Sequence, residues 1–496
     1  MSESSVPTPG EASPPPPPPP HPTSGTTLAQ PAPTSARPST FGVLRHTHFR
    51  NIWIAAFISS LGGWMEIVGV QWAMTKATLA PEWTAHSSLS APIMMGYLGA
   101  AQLSPQLFLG LVGGVCADMF NRKTMLIITQ AVRMVIAAVL CVLAFRGVIS
   151  PWLLILLGGL DGCAMAFNIP AWQVLTPRLV PREELIAAIT LNGLQFNLAR
   201  ALGPAIGGLL LSIPGQDNPW LLFLLNTISY LFILVAICFT PDAPAPEHPP
   251  GYSPWSLVRE AWKYLLHHRA PLYLIIAISV FSMLATPLLR MMPIIVKQTY
   301  LPGKPEDIQE RTYGILLGLM GVGAVIGALG LKRIPVWYPK HHFVPLSITC
   351  CGLCLCWYAF STNMYVAGAA VLITGVFWMW SFNAAFSALQ LLVDDRIRGR
   401  VLAICNTISF GAMALGAVGA GAIGELVAGK HDEGVGAHAG LGVCSIALVL
   451  VGAVMLTWRV PEIDGIAPGE PGYDKKPGLL RGILATTHRE NHSRGA

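Results

Sequence analysis

Residues 219–240 read PWLLFLLNTISYLFILVAICFT, with no charged side chain. A run of about 20 predominantly apolar residues is long enough to cross about 30 Å of hydrocarbon as an α-helix. In lipid the backbone N–H and C=O groups must be bonded within the segment, and a helix satisfies them all. The run therefore predicts a transmembrane helix.

Eleven further apolar runs lie on either side of this one, and together they predict twelve transmembrane helices. Of the 496 residues, 53% are hydrophobic and 11% are charged, whereas a soluble domain carries about 25% charged residues. The predicted fold class is an all-α polytopic membrane protein. Numbered segments 1 to 12 in chain order, the runs cover 52–75, 91–116, 124–146, 151–173, 185–212, 219–240, 271–296, 313–331, 342–361, 364–388, 401–428 and 438–458.

The basic residues between the segments predict the orientation. If both termini are cytoplasmic, 22 of the 31 lysines and arginines lie on the cytoplasmic side, 6 lie outside and 3 lie within segments. Cytoplasmic loops of membrane proteins carry such an excess of Lys and Arg. We therefore expect a multi-pass protein of the cytoplasmic membrane with both termini inside. Because the cations are dispersed in small groups, we expect no nucleic-acid binding.

Polar stretches divide the chain into five parts. Residues 1–41 contain thirteen prolines and predict a disordered cytoplasmic tail. Two six-helix bundles are expected at 42–240 and 271–460, joined by a cytoplasmic linker at 241–270. Residues 461–496 are expected to form a second cytoplasmic tail.

A weak internal repeat relates the two bundles. A shift of 213 residues places the GPAIGG of residues 203–208 on the GAVGAG of residues 416–421. Two homologous helical halves are typical of secondary transporters, whose solute site lies near the midplane between them. The expected partners are a small-molecule substrate, protons and the lipid bilayer, and we expect a monomer.

No cofactor or metal site is predicted. The ten cysteines lie almost entirely in apolar runs, where they act as small hydrophobic residues. The cysteines of residues 350–356 fit no zinc spacing, and the metal-like residues 430–433 are expected to be solvated. No phosphate-binding G-x-x-x-x-G-K-[ST] loop or hydrolase motif occurs, so we expect no enzyme.

Residues 114–123 read GVCADMFNRK and lie between segments 2 and 3. They resemble the G-x-x-x-D-R/K-x-G-R/K-R/K signature of the major facilitator superfamily. Met119 and Asn121 depart from the basic residue and the glycine of that signature. Four positions match it: Gly114, Asp118, Arg122 and Lys123.

This resemblance implies the fold of that superfamily and a conformational latch. In the superfamily the acid lies near the start of helix 11, which is expected here near Arg398 and Arg400. A helix N-terminus carries partial positive charge and unpaired N–H groups, so it attracts a carboxylate. We expect Asp118 to latch the two halves in the outward-open state. The alternative is a plain loop whose cations only set the topology.

Segment 5 carries small residues that resemble the end of the antiporter motif of drug exporters: Gly203, Pro204, Gly207 and Gly208. Thr190 and Ala199 replace glycines of that motif. The resemblance implies that segment 5 packs on segment 8, and segment 2 on segment 11. Residues without bulky side chains let helices approach closely in lipid. We expect a sliding seam for alternating access, and static packing is the alternative.

The branch of the superfamily is indicated by residues 49–53 (FRNIW) and 59–65 (SSLGGWM) together with Ala199 and Arg200. These are similar to the enterobactin-exporter-like branch, which includes macrolide efflux proteins. The resemblance spans residues 42–460.

Five ionisable residues lie inside the segments: Glu66, Arg133, Asp161, Arg200 and Arg290. A charge at the bilayer centre costs about 2.5–3.5 kcal/mol on insertion scales, so such residues are usually functional. The resemblance implies that segments 1, 4, 7 and 10 line a central cavity. Three residues of segment 10 would suit an amphipathic or aromatic solute there: Trp378, Trp380 and Asn383.

A carboxyl group away from water favours its neutral form and can exchange a proton as the cavity changes sides. Glu66 or Asp161 is therefore predicted to couple protons to transport, and the alternative is a structural ion pair with one of the arginines. The predicted function is proton-coupled export of a small amphipathic solute such as a drug or siderophore. A nutrient uptake symporter and a non-transporting membrane enzyme or receptor are the alternatives.

Overall fold

Twelve long helices make up most of the protein in the computed structural model. It describes residues 40–241 except 176–178, 212 and 214–218, and then 254–331, 340–428, 432–458, 460 and 463. The helices are α1 (Thr47–Thr78), α2 (Ala91–Met119), α3 (Arg122–Phe145), α4 (Pro151–Leu175), α5 (Leu185–Leu211), α6 (Trp220–Cys238), α7 (Arg269–Tyr300), α8 (Glu306–Leu331), α9 (Lys340–Ala359), α10 (Met364–Leu392), α11 (Asp395–Ala428) and α12 (Glu433–Thr457).

Each long helix coincides with one predicted segment, and the described residues contain no strand. Within the part of the chain that the structure describes, eleven helices are long and apolar enough to cross a membrane. Because α5 is not among those eleven, twelve spans remain a prediction. Shorter helices occupy Thr40–Arg45, Pro81–His86, Arg182–Glu184 and Pro254–His267. Most of both predicted tails and residues 242–253 of the linker lie outside the described residues.

Several helices start earlier than the hydropathy pattern predicted. α8 begins at Glu306 rather than 313, α11 at Asp395 rather than 401, and α12 at Glu433 rather than 438. Apolar runs mark only the part of a helix that lies in hydrocarbon, whereas backbone hydrogen bonds continue into the polar ends. Charged residues near these starts therefore belong to helices rather than to loops.

Helix α7 is the irregular member of the set. It consists of Arg269–Ala285 and Pro287–Ile295, and its last residues, Val296–Tyr300, are π-helical. Proline has no N–H to donate and its ring crowds the preceding turn, so Pro287 and Pro293 interrupt the regular hydrogen-bond ladder.

The helices pack mainly within an N-terminal half, α1–α6, and a C-terminal half, α7–α12. In the first, α1 packs on α5 and α6, while α4 packs on α2 and α3. In the second, α10 packs on α8 and α9, while α11 packs on α7 and α12. Two extensive contacts join the halves, α2 with α11 and α5 with α8. These are the pairs that the family resemblance implied.

Glycines allow the backbones of the two halves to touch. A Cβ added at Gly208 of α5 would overlap the Cα of Gly314 in α8. On the other seam, a Cβ added at Gly421 of α11 would lie 2.6 Å from the Pro92 carbonyl oxygen of α2. The seams are therefore close backbone contacts, as expected where small residues bring apolar helices together.

Candidate functional site

One polar cluster in the helix bundle is built on an ion pair between α3 and α4. Arg133 Nε donates to Asp161 Oδ1 at 2.7 Å, and Arg133 Nη2 donates to Asp161 Oδ2 at 3.4 Å. The two side chains are 15% and 25% exposed. The Arg133 guanidinium carbon also lies 5.2 Å from the centroid of the Tyr230 ring of α6. In this structure Asp161 is thus the partner of an arginine, the arrangement that the sequence left open.

Glu66 of α1 completes this cluster. It accepts a hydrogen bond from the Asn226 amide of α6 and interacts electrostatically with Asp161 and Arg133. Asn226 is itself buried, and its Oδ1 accepts a hydrogen bond from Ser229 Oγ at 3.0 Å. The cluster contains two carboxyl groups and one guanidinium. If both acids were ionised, one negative charge would lack a cation.

Arg200 of α5 lies between the two halves. Its guanidinium carbon is 5.9 Å from the Trp64 ring centroid in α1 and 5.6 Å from the Trp378 ring centroid in α10. A cation over an aromatic face is attracted by the negative face of the ring. No carboxylate among the described residues pairs with Arg200.

Arg290 of α7 also faces the opposite half. It is 7% exposed, and its Nη1 has no hydrogen-bond partner. A Cβ added at Gly99 of α2 would lie 3.3 Å from Arg290 Nε, so the guanidinium packs directly on the N-terminal half. Within the described part of the chain, Arg290 has no carboxylate partner.

The remaining predicted cavity residues point elsewhere. Trp380 Nε1 donates to the Gly327 carbonyl oxygen of α8 at 2.7 Å, and Asn383 Nδ2 donates to the Met379 carbonyl oxygen at 3.1 Å. Both bonds stay inside the C-terminal half. Successive helical residues are about 100° apart, so Trp380 cannot share the face of Trp378. The structure brings Trp378 to Arg200 but directs Trp380 away from it.

At the loop between α2 and α3, the matched cations bond within their own half. Arg122 Nε donates to the Ala117 carbonyl oxygen at 3.0 Å, and Lys123 Nζ donates to the Thr240 carbonyl oxygen at 2.8 Å. Asn121, which replaces the glycine of the family signature, caps α3 by accepting from the backbone N–H groups of Lys123 and Thr124. Its amide oxygen accepts hydrogen bonds from N–H groups that have no partner within the helix. This capping favours asparagine over the glycine of the family signature at this position.

The predicted latch residues lie in the last turn of α2 and in the first turns of α11. Asp118 is half-buried in the last turn of α2. Because α11 begins at Asp395, Arg398 and Arg400 lie inside its first turns rather than ahead of it. Arg398 Nε and Nη2 donate to the Val393 carbonyl oxygen at 3.3 and 3.2 Å. The latch through Asp118 remains a prediction.

The opposite end of the bundle carries a contact of the same chemical kind. We call the end where α1 stops and α2 starts the distal side; the predicted orientation places it outside the cell. Here Ser90 N donates to Glu425 Oε2 at 3.0 Å, and Ala91 N donates to Glu433 Oε2 at 2.8 Å. Two acids of the C-terminal half thus bind the N-terminus of α2, and we call this contact the distal cap.

A second distal contact joins α1 to α7 and α8. Glu306 accepts from Lys76 Nζ at 2.9 Å and from Lys297 Nζ at 3.3 Å. One step further into the bundle, the Tyr313 hydroxyl of α8 donates to Gln71 Oε1 of α1 at 2.6 Å. The two halves are therefore closed against each other on the distal side.

Sequence reasoning missed two buried acids on this side. Glu310 is 2% exposed and its Oε1 has no hydrogen-bond partner; it was overlooked because segment 8 was placed from 313. Glu433 was assigned to a solvated metal-like loop, whereas it bonds to α2. Lys430 and His431 of that loop lie outside the described residues, and no group of metal-ligating residues occurs in the described part of the chain.

We expect Glu425→Gln combined with Glu433→Gln to loosen the distal side. Neutral hydrogen bonds are weaker than charge-assisted ones, so the pair should favour separation of the halves by about 1–3 kcal/mol. Spin labels on cysteines at Glu82 and Lys304, in a background without native cysteines, would report a longer distance. Asp432→Asn is the matched control, because Asp432 caps α12 within its own half. An unchanged distance in the double variant would contradict the proposed role of the cap.

Comparisons with known proteins agree with this architecture. A family model described as transmembrane secretion effector matches residues 38–474. The chain is 27% identical over 417 residues to the enterobactin exporter EntS of Salmonella typhimurium, covering 82% of this chain and 92% of that protein. It is 25% identical over 354 residues to the staphyloferrin A transporter of Staphylococcus aureus, covering 71% and 83%.

A solved structure shows the same fold at lower identity. The crystal structure of a D-xylose–proton symporter matches with a TM-score of 0.64 and 16% identity, over 85% of this chain and all of that one. The helix pairs, the intramembrane charges and the family match lead to one assignment. The chain belongs to the transmembrane secretion effector family and is a polytopic transporter in the enterobactin-exporter-like branch of the major facilitator superfamily.

Proposed function

We propose that this transporter is a proton-coupled exporter, an antiporter that moves a small amphipathic solute of siderophore or drug type out of the cytoplasm by alternating access. The family is described as secretion effectors, and two relatives are named for the siderophores enterobactin and staphyloferrin A. The distal side is closed in the structure, the state in which an exporter would take up solute from the other side. A nutrient uptake symporter remains the alternative function.

The observation that carries proton coupling is the cluster of Glu66, Arg133 and Asp161. Arg133 neutralises Asp161 through two hydrogen bonds, whereas the hydrogen bond of Glu66 within the described part of the chain is to a neutral amide, that of Asn226. Two adjacent carboxylates cannot easily both be ionised beside one cation. Glu66 is therefore the better candidate for the group that binds and releases the proton.

The energy of one proton is sufficient for useful export. A charge moving across about 100 mV yields about 2.3 kcal/mol. Each tenfold concentration ratio needs about 1.4 kcal/mol, so one proton supports a gradient between about tenfold and a hundredfold.

We expect Glu66→Gln to uncouple the transporter. In proteoliposomes, proton-driven accumulation of the solute should fall at least about tenfold, while solute exchange without a proton gradient should continue, because the solute path is unchanged. Enterobactin, staphyloferrin A and a macrolide would serve as test solutes. Glu82→Gln on the exposed distal helix is the matched control.

Three results would redirect the proposal. Coupled transport that persists in the double variant Glu66→Gln, Asp161→Asn would show that neither acid carries the proton. Inward accumulation would establish the uptake symporter instead. Activity of the purified protein that needs no transported solute would favour a membrane enzyme or receptor.

A further inference from the structure

Two arginines at the contact between the halves, the half-buried Arg200 and the buried Arg290, have no counter-charge in the described part of the protein. Arg200 of α5 is flanked by two tryptophan rings, and Arg290 of α7 packs against Gly99 of α2. Arg133 provides the comparison within the same helix bundle, because it makes two hydrogen bonds to Asp161. Arg133 thus has a carboxylate partner within its own half of the protein, which Arg200 and Arg290 lack among the described residues.

An unpaired cation away from water is costly. A charge inside the membrane is usually paired or lines a path for solutes or ions. Burying a polar group without a hydrogen bond raises the free energy of the folded state. Arg290 is both buried, with 7% exposure, and without a hydrogen-bond partner at Nη1. A negatively charged group that leaves when the halves separate would supply both the missing hydrogen bond and the missing counter-charge.

We infer that the transported solute is an organic anion whose acidic oxygens bind Arg290 and Arg200. This inference rests on the transporter function proposed above. A guanidinium presents several N–H donors in one plane and binds carboxylate oxygens through paired hydrogen bonds. Because Arg200 and Arg290 belong to opposite halves, a solute with more than one acidic group would connect the halves while it is bound.

The surroundings of Arg200 suit the rest of such a solute. Trp64 and Trp378 present large apolar rings from α1 and α10, and Phe281 of α7 lies edge-on to Trp378 with ring centroids 5.3 Å apart. Flat aromatic or apolar parts of a solute would pack on these rings while its oxygens face the guanidinium. Carboxylates and catecholates share this chemistry.

The test measures binding to the purified full-length protein in lipid nanodiscs. Quenching of tryptophan fluorescence would be followed with citrate, a tricarboxylate, with 2,3-dihydroxybenzoate, a catechol carboxylate, with benzoate, which lacks the catechol hydroxyls, and with the cation tetraphenylphosphonium. We expect saturable binding of at least one anion and none of the cation. Tighter binding of 2,3-dihydroxybenzoate than of benzoate would show that the catechol oxygens contribute, and equal binding would show recognition of the carboxylate alone. Arg290→Gln should weaken anion binding about 10- to 100-fold, the loss of a charged hydrogen-bond pair.

Controls separate a binding role from a structural role. Arg290→Lys should retain part of the affinity, and Arg146→Gln, at the exposed end of α3, should retain all of it. Without ligand, Arg290→Gln should melt at the same temperature as the wild type or higher, because an unpaired buried charge has been removed. A lower melting temperature with unchanged anion affinity would show a structural role and overturn the inference.

The anion-binding inference can be wrong while the proposed exporter function is still correct. If neither anion binds, or if Arg200→Gln and Arg290→Gln bind anions like the wild type, the anion site is wrong. If the wild type and Arg290→Gln both show proton-coupled efflux of tetraphenylphosphonium, the exporter function stands and only the anion assignment falls. Absence of any proton-coupled transport would instead contradict the proposed function.

Discussion

Gly208→Ala is expected to reduce transport by about 5- to 150-fold. The added Cβ would overlap the Cα of Gly314, and neither that backbone atom nor the α5 backbone that carries the Cβ can move aside locally. Overpacking of this kind costs about 1–3 kcal/mol, and every 1.4 kcal/mol shifts an equilibrium tenfold. The conformation in which α5 and α8 touch would lose population, and solute flux in proteoliposomes would report the loss.

Gly193→Ala is the matched control for this prediction. Gly193 lies on the same helix, is exposed, and has no atom within 4 Å of an added Cβ. The control should transport like the wild type. If α5 and α8 form a static contact, Gly208→Ala should lower the melting temperature in proportion to the loss of flux. If they form a moving seam, the variant should shift towards separated distal ends. Wild-type flux in Gly208→Ala would contradict both readings of the contact.

Arg133→Gln is expected to be strongly destabilising. It leaves Asp161 and Glu66 inside the bundle without their shared cation, and breaking a buried ion pair costs about 3–5 kcal/mol. Because Asp161 keeps a 25% exposed side chain, we expect about 3 kcal/mol, the lower end of that range. Thermal unfolding of the purified variant would measure the effect, and transport should be lost in the same variant.

A second substitution, at Asp161, is expected to restore the stability that Arg133→Gln removes. The double variant Arg133→Gln, Asp161→Asn replaces the ion pair by two neutral amides, which can still bond to each other. It should therefore recover most of the stability, as a double-mutant cycle for a coupled pair requires. Arg146→Gln at the exposed end of the same helix should change nothing. A double variant as unstable as the single one would show that Arg133 acts through other contacts.

The helices and their pairing could be predicted from the sequence, because hydropathy and small-residue patterns are local properties. Segment 6 and α6 nearly coincide, and the contact of α5 with α8 follows from glycines on both. The same hydropathy pattern that located the spans missed the helix starts at Glu306 and Glu433. Hydropathy follows the lipid boundary, and polar helix ends carry no signal of that kind.

The partners of the charged side chains could not be predicted in the same way. Arg133, Asp161 and Glu66 were each recognised as unusual inside the membrane, but their pairing depends on the rotation of three helices about their axes. Sequence spacing fixes which residues share a face of one helix, and it says nothing about which face meets a neighbour. The different surroundings of Trp378 and Trp380 have the same origin.

The distal cap has a consequence for how this protein can vary. Two of its donors are the main-chain N–H groups of Ser90 and Ala91, which every amino acid except proline possesses. The third is the Ser90 hydroxyl, which also donates to Glu425. Replacement of Ala91 by another small residue can therefore keep the contact, whereas loss of the Ser90 hydroxyl removes one of its hydrogen bonds. Gain or loss of the closure among relatives of this chain would be visible at positions 90, 425 and 433.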